Sequence, residues 1–504
     1  MSPDPRAWNT LAPADQRSWP PEAVFAAGLH HHHIANTAYP IHHTTTMRPY
    51  RVPRDQAEQV ALAAWDGTDT LGLYVHVPFC QVRCKYCEYA VVDRDEQPLE
   101  DAYFRALERE FALYREHLDT RRKKLIGFDI GGGTPSWAQT KHIRQVVETA
   151  RESFSFQPGL VISIETTPVI ADRQPEKIAA FREMGIGRIS MGVQTTHLRL
   201  ARSLGREYDG PTMLERAVGN IRQAGFDRFN IDLMYGFANQ TLASWRHTVE
   251  QTIALGPEYI TLYRMRYKGT AIQEQAADVT LAQVKALETT AHRLLLAAGY
   301  DGWPGKNTYS RVPGDLGTSD YLTERVVKGT PYLGLGLAAQ TFSPTTLSYN
   351  WGAASKSLRS YLPAIAAGRL PLQDFYHLPL EVAMAKMIAV SFYFGGVHRE
   401  HFQSKFGVTL EEQFPDEIAF LLDRGLMAPA GPWLRLTTDG VDHFNGVIAL
   451  FYSGAVKAYL VGLEDQFSVA SSQPAVYSSP FAVAGSRLAV DSSQLAIDSS
   501  QLAS

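Results

Sequence analysis

The chain has 504 residues but only three cysteines, and all three fall within one short segment, Cys80-x3-Cys84-x2-Cys87. A thiolate is a nucleophile and a soft metal ligand, so this spacing is compatible with three kinds of chemistry. A structural zinc site takes four ligands, usually as two separated pairs, and the sequence holds no second pair of cysteines. A redox dithiol takes Cys-x-x-Cys in a thioredoxin-like setting, which leaves the third thiol without a role. An iron–sulfur cluster held by three thiolates leaves one iron open, which suits a cluster that binds something rather than one that only carries an electron. An odd, small cysteine count in so long a chain also excludes a disulfide scaffold and points to a reducing compartment.

Such a loop needs a scaffold, and the hydrophobic pattern supplies one. Short runs rich in branched and aromatic residues recur at 71–77, 125–130, 160–165, 187–193, 229–235 and 259–265. Helical patterns lie between them. In the first, Tyr103, Leu107, Phe111, Tyr114 and Leu118 share one face, and similar patterns occupy 140–153, 176–184, 211–224 and 241–255. Six strands alternating with helices imply an α/β fold with a parallel sheet, either an incomplete barrel of the TIM kind or an open doubly wound sheet. Both place chemistry at the C-terminal ends of the strands. Those ends carry the cysteines, the turn Gly131-Gly132-Gly133-Thr134, Glu165, Gln194 and Asp232, so polar residues and glycines gather at one rim.

The segment YVHVPFCQVRCKYC, with Tyr86 directly before the third cysteine, resembles the signature of radical S-adenosylmethionine (SAM) enzymes. More narrowly it is similar to the oxygen-independent coproporphyrinogen III oxidase (HemN-like) group. GGGTPS (131–136), SIETTP (163–168), RISMGVQT (188–195), NIDLMYGFANQT (230–241) and YLGLG (332–336) carry the resemblance over about residues 71–462. It implies a partial (βα)6 TIM-like barrel with a mostly helical, winged-helix-like C-terminal domain. It also implies a [4Fe–4S] cluster on Cys80, Cys84 and Cys87, and one SAM, or two, as cofactor. Reductive cleavage of SAM to a 5′-deoxyadenosyl radical and hydrogen abstraction from a substrate would follow. Carried over by position, the SAM contacts are Tyr74, Tyr86, Gly132, Gly133, Thr134, Glu165, Gln194, Arg206 and Asp232. Their types suit the task. Glycines let backbone groups come close, the two carboxylates accept from an ammonium or ribose hydroxyls, and Arg206 can hold a carboxylate. His76 shares the Tyr74 face of its strand and reads as a structural histidine.

The sequence departs from its relatives at two points. Glu88 and Tyr89 follow Cys87, where the oxidases carry a further cysteine two places on. The stretch TSDYLTERVVKGTPYLGLG lacks the His-Asn-x-x-Tyr-Trp motif of heme chaperones. Arg264 and Arg266, placed on one face near the rim, would suit substrate carboxylates or an interface with the C-terminal domain. The leading expectation is therefore an enzyme acting on a carboxylated, tetrapyrrole-like substrate, with a flavodoxin or ferredoxin as one-electron donor. The alternatives are a class C-like methyltransferase or cyclopropane-forming enzyme, and a heme chaperone-like binding protein.

The order of segments reads as a His/Pro-rich arm (1–68), the barrel (69–270), a barrel extension with helices (271–395), a winged-helix-like domain (396–465) and a low-complexity, disordered tail (466–504). The arm holds His30 to His33, His42 and His43, which read as a polar loop rather than a metal or heme site. With 48 basic against 52 acidic residues the net charge is −4, which gives no electrostatic reason to bind nucleic acid or an anionic membrane. Residues 446–463 are apolar but carry Lys457, and read as a buried terminal helix rather than a membrane span. No leader is legible at the start, so a cytoplasmic location is expected.

Overall fold

Strands β1 (Thr70–Val77), β2 (Lys124–Gly132), β3 (Ile162–Thr166), β4 (Ile186–Gln194), β5 (Arg228–Tyr235) and β6 (Tyr259–Arg264) pair in that order, all parallel. They do so in a computed structural model that describes residues 19–31, 39–41, 43–206 and 208–471. β1 is buried at nearly every position, as expected of a parallel strand covered on both faces. The helix Glu100–His117 packs Tyr103, Leu107, Phe111 and Tyr114 against the sheet, each at most 3% exposed, so its 3.6-residue periodicity is used as the sequence implies.

The sheet continues past both ends of this core. β7 (Thr308–Ser310) runs antiparallel to β6, and β8 (Tyr332–Leu335) lies parallel beside β1. β9 (Gln340–Phe342), β10 (Thr346–Asn350) and β11 (Leu372–His377) extend that side as an antiparallel meander. The terminal strands β7 and β11 do not pair, so the barrel is incomplete. The buried Glu110 fastens the extension to the core, accepting from the Gly336 amide, the Asn350 amide group and the Tyr361 hydroxyl at 2.7–2.8 Å.

The C-terminal region contains a three-stranded antiparallel sheet, Gly396–His398, Met427–Ala430 and Trp433–Leu436, with helices between its first and second strands, as in a winged helix. The acidic segment after the first strand forms two short helices, Leu410–Gln413 and Pro415–Asp423. Thr409 and Glu412 close a capping box on the first, and Pro415 occupies the first turn of the second.

Three parts of the sequence reading change. The His/Pro-rich arm contains a helix, Pro21–His31, and Gly28 lets it approach the helix Phe444–Ala449, because a Cβ there would lie 2.6 Å from Ala449 Cβ. Residues 446–463 are not one helix but parts of two, Phe444–Ala449 and Gly454–Ser471. The second runs past 465, and the rest of the tail lies outside the described residues. His30 and His31 hydrogen-bond Glu464, and His43 stacks on Tyr349; His32, His33 and His42 lie outside the described residues. Among the described residues no helix is long and apolar enough to cross a membrane.

Candidate functional site

The cysteine loop leaves the C-terminal end of β1 and is held from several sides. The Gly133 amide donates to Val77 O at 2.8 Å and the Thr134 amide to Phe79 O at 2.8 Å, joining the β2 glycine turn to the loop. The Lys85 amide donates to Leu204 O, the Ala271 amide to Lys85 O, and Lys356 Nζ to Glu88 O, at 2.8–3.0 Å. Thr134 Oγ1 lies 3.4 Å from Cys80 Sγ, and Arg206 reaches Cys84 Sγ at 3.6 Å and the Tyr86 hydroxyl at 2.8 Å. Arg206 also donates to Gly192 O. Seven residues expected at one site, Tyr86, Thr134, Arg206, Gly133 and the three cysteines, are thus assembled around one loop.

The loop suits a polynuclear cluster. A Cβ on Gly133 would sit 2.7 Å from Phe79 O and 3.0 Å from Cys80 Sγ, so only glycine leaves the thiol its space. Burial pushes the Cys80 thiol up to about 12 and raises Cys87, with the neighbouring thiols adding to both. Gathering thiolates here is therefore unfavourable unless a positively charged group binds them. Among the described residues no three His, Cys, Asp or Glu side chains form a group that could hold a metal ion.

Beside the loop, the strand ends present groups that lack protein partners. Gln194 has φ +68°, unusual for a residue with a Cβ, and its Oε1 is buried with no hydrogen bond. Arg206 Nε is equally unpartnered. Buried polar atoms are normally satisfied, so two orphans at one rim indicate a polar ligand. Gly131 is packed between Glu165 and Tyr74, since a Cβ there would lie 3.0 Å from Glu165 Oε1 and 3.1 Å from the Tyr74 ring. Gly132 has φ +122° and faces the His76 ring, which is held by a 2.8 Å hydrogen bond to Ala90 O. Burial lowers His76 to about 4, so it is neutral and structural.

Below the rim the barrel encloses a cavity of about 50 Å³, lined among others by Asp129, Glu165, Arg188, Asp232, Tyr263 and Leu322. Burial pushes Glu165 up to about 8, and Asp232 and Asp129 push the same way. Asp232 is raised by burial against hydrogen bonds from Ser190 and Asn230 at 2.8 Å. Asp129, raised to about 6 by burial, accepts from Ser319 at 2.6 Å. Arg188 donates to Ser163 at 3.0 Å. Asp129 and Arg188 escaped the sequence reading, though each is a charged residue on the inward face of an otherwise apolar strand, a departure from pattern that marks a site.

Arg264 and Arg266 do not form a pair facing the site. Thr261 and Tyr263 line the cavity, so Arg264 points to the opposite face, toward Glu288 and Tyr235. β6 ends at Arg264, and Arg266 beyond it forms an ion pair with Glu88.

Residues 74–252 match the radical SAM superfamily. The chain is 32% identical over 197 residues to the oxygen-independent coproporphyrinogen III oxidase of Synechocystis sp., covering 39% of this chain and 41% of that protein. It is 25% identical over 390 residues to the heme chaperone HemW of Bacillus subtilis, covering 75% of this chain and 98% of that one. Its fold matches that of the coproporphyrinogen III oxidase HemN from Escherichia coli with a TM-score of 0.68 at 23% identity, over 82% of this chain and 96% of the other. With a three-cysteine loop, a glycine turn against it and unsatisfied polar groups at the barrel rim, residues 74–252 carry a match to the radical SAM superfamily, and the chain is similar in sequence and fold to HemN-like proteins.

Proposed function

We propose that this chain is an enzyme that binds a [4Fe–4S] cluster and SAM and abstracts hydrogen from a carboxylated, tetrapyrrole-like substrate. The observation that carries the reading is the convergence of three cysteines with two buried atoms that lack a hydrogen bond, Gln194 Oε1 and Arg206 Nε, on one rim. When bound, the cluster would deliver one electron to SAM and so generate a carbon radical. The chain's own residues do the rest. Cys80, Cys84 and Cys87 would hold the cluster, and Arg206, anchored on Tyr86 and Gly192, fixes the outer side of the loop. Gly131 to Gly133 give a ligand's ammonium access to backbone carbonyls, and Glu165 and Asp232 supply acceptors in a low-dielectric site. An acidic one-electron donor, a flavodoxin or ferredoxin, has access to the outer side, where Gln81, Val82, Arg83 and Lys85 are exposed.

Anaerobic incubation of the reconstituted, reduced protein with SAM is expected to yield 5′-deoxyadenosine; none, with the cluster fully occupied, refutes the enzymatic reading. Deuterium from methyl-labelled SAM in the product would instead assign a methyl- or methylene-transfer reaction with a second SAM. One observation favours a heme carrier as second reading: the alignment with a heme chaperone spans nearly all of that protein. A stoichiometric Soret shift on heme addition, without SAM turnover, would select it.

A further inference from the structure

A second polar cluster lies where the barrel extension meets the C-terminal domain, and it is made of cations. The helix Asp320–Val327 is pressed onto the sheet at two glycines, Gly72 and Gly127, where a Cβ would lie 3.0 Å from the Tyr321 ring and 2.4 Å from its Cα. Leu322 of this helix lines the central cavity, and Arg325, one turn on, lies on the same side of the helix. Arg325 sits 4.5 Å from the Tyr332 ring centroid and donates to the Tyr321 hydroxyl at 3.3 Å. Tyr332 packs on Phe342, and two lysines approach that ring, Lys386 at 5.8 Å and Lys405 at 5.9 Å from its centroid.

None of these three cations forms an ion pair with a carboxylate among the described residues. Lys386 is 2% exposed and donates only to neutral acceptors, Tyr39 O at 3.0 Å and Gln340 Oε1 at 3.2 Å. Lys405 has no hydrogen bond or ion pair at all among the described residues, and burial lowers it to about 8. The surrounding acids serve elsewhere. Asp129 bonds Ser319, Asp374 pairs with Arg51 at 3.0 Å, Glu324 bonds Lys328, and Glu381 acts on Tyr39. Burying a cation such as Lys386 without a counter-charge is costly, and Arg325 beside it adds repulsion, so the arrangement is explained by an anion that enters among the three.

The cluster is also linked to the radical site through Tyr74. Tyr74 packs against Gly131 and Glu165 on one side and stacks on Tyr321, 5.9 Å between centroids, on the other. The strand register carries the same inner face from Tyr74 through Gly334 to the Gln340–Tyr349 pair, and Tyr74, Gln340, Tyr349 and Arg325 are all incompletely covered.

We propose that Arg325, Lys386 and Lys405 form an anion-recognising pocket that holds carboxylate groups of the organic substrate while another part of it lies at the radical site beside Tyr74. The substrate identity rests on the function proposed above; the binding of an organic polycarboxylate does not. In this proposal the pocket takes the carboxylate-binding role expected of Arg264 and Arg266.

The test uses the cluster-reconstituted protein and two probes, the tetracarboxylate coproporphyrin III and its uncharged tetramethyl ester, with affinity followed by quenching of protein fluorescence. The wild type is expected to bind the acid at least ten-fold more tightly than the ester. Arg325→Leu and Lys405→Met should each weaken acid binding about ten-fold or more and leave ester binding where it was, while Arg325→Lys recovers part of the loss. Equal binding of acid and ester by the wild type overturns the pocket without any variant, and so does unchanged acid binding in both charge-removing variants. Wild-type 5′-deoxyadenosine formation is measured separately. If acid binding depends on the cations but SAM is never cleaved, the enzymatic reading falls and the pocket stands. If SAM is cleaved but binding ignores the cations, the pocket falls alone.

Discussion

Gly132 is a position where one methyl group should reveal whether the glycine turn is built for backbone reasons or for its ligand. Its φ of +122° lies where only glycine is unstrained, and a Cβ there would lie 2.7–2.9 Å from three atoms of the His76 ring. The ring cannot swing aside cheaply, because Nε2 is hydrogen-bonded to Ala90 O at 2.8 Å. Backbone strain of about 1–3 kcal/mol and overpacking of about 1–3 kcal/mol give roughly 2–6 kcal/mol for Gly132→Ala. At about 1 °C per kcal/mol for a chain of this size, Tm should fall by about 2–6 °C. Gly131→Ala is the control. Its φ is not in the left-handed region, and its Cβ would meet only the ends of two side chains, Glu165 Oε1 at 3.0 Å and Tyr74 at 3.1 Å, which can give way. It should therefore disturb ligand binding while costing little stability. Thermal unfolding of both variants, with anaerobic SAM titration, decides the point. A Gly132→Ala protein as stable as Gly131→Ala would refute the argument from backbone geometry.

Four further outcomes are expected. Cys84→Ala should abolish both the cluster's visible absorbance and 5′-deoxyadenosine formation; retention of both would mean that the cysteine loop is not the cluster site. Glu165, pushed up to about 8 chiefly by burial, must ionise to accept from the ammonium of SAM, so SAM affinity should strengthen as pH rises through about 8. Glu165→Gln should bind SAM more weakly and without that pH dependence, as followed by equilibrium dialysis. Glu110 is raised from 4.5 to about 7 by burial, so folding favours its protonated form. Its stabilising contribution is complete below pH 4.5 and lost as pH rises through about 7, and Glu110→Gln should flatten that part of the Tm profile.

The sequence alone determined the barrel and the loop. Six of the parallel strands, the helix faces between them and the cysteine spacing are local patterns, with periods of two and 3.6 residues and fixed ligand intervals, that survive whatever lies elsewhere in the chain. Another, Tyr332–Leu335, joins beside β1 from more than 250 residues away, and only the register Tyr74↔Gly334 shows that it continues the same inner face. The inward charges Asp129 and Arg188 were visible as breaks in apolar strands, yet their meaning required the cavity they share. Arg264 and Arg266 looked alike because they alternate in sequence, but the strand ends at the first, and the two side chains diverge toward Glu288 and Glu88. Arg325, Lys386 and Lys405 come from three separate helices and carry no local signature. A buried charge is informative only through the counter-charge it has or lacks, and that is a property of tertiary packing which no single stretch of sequence contains.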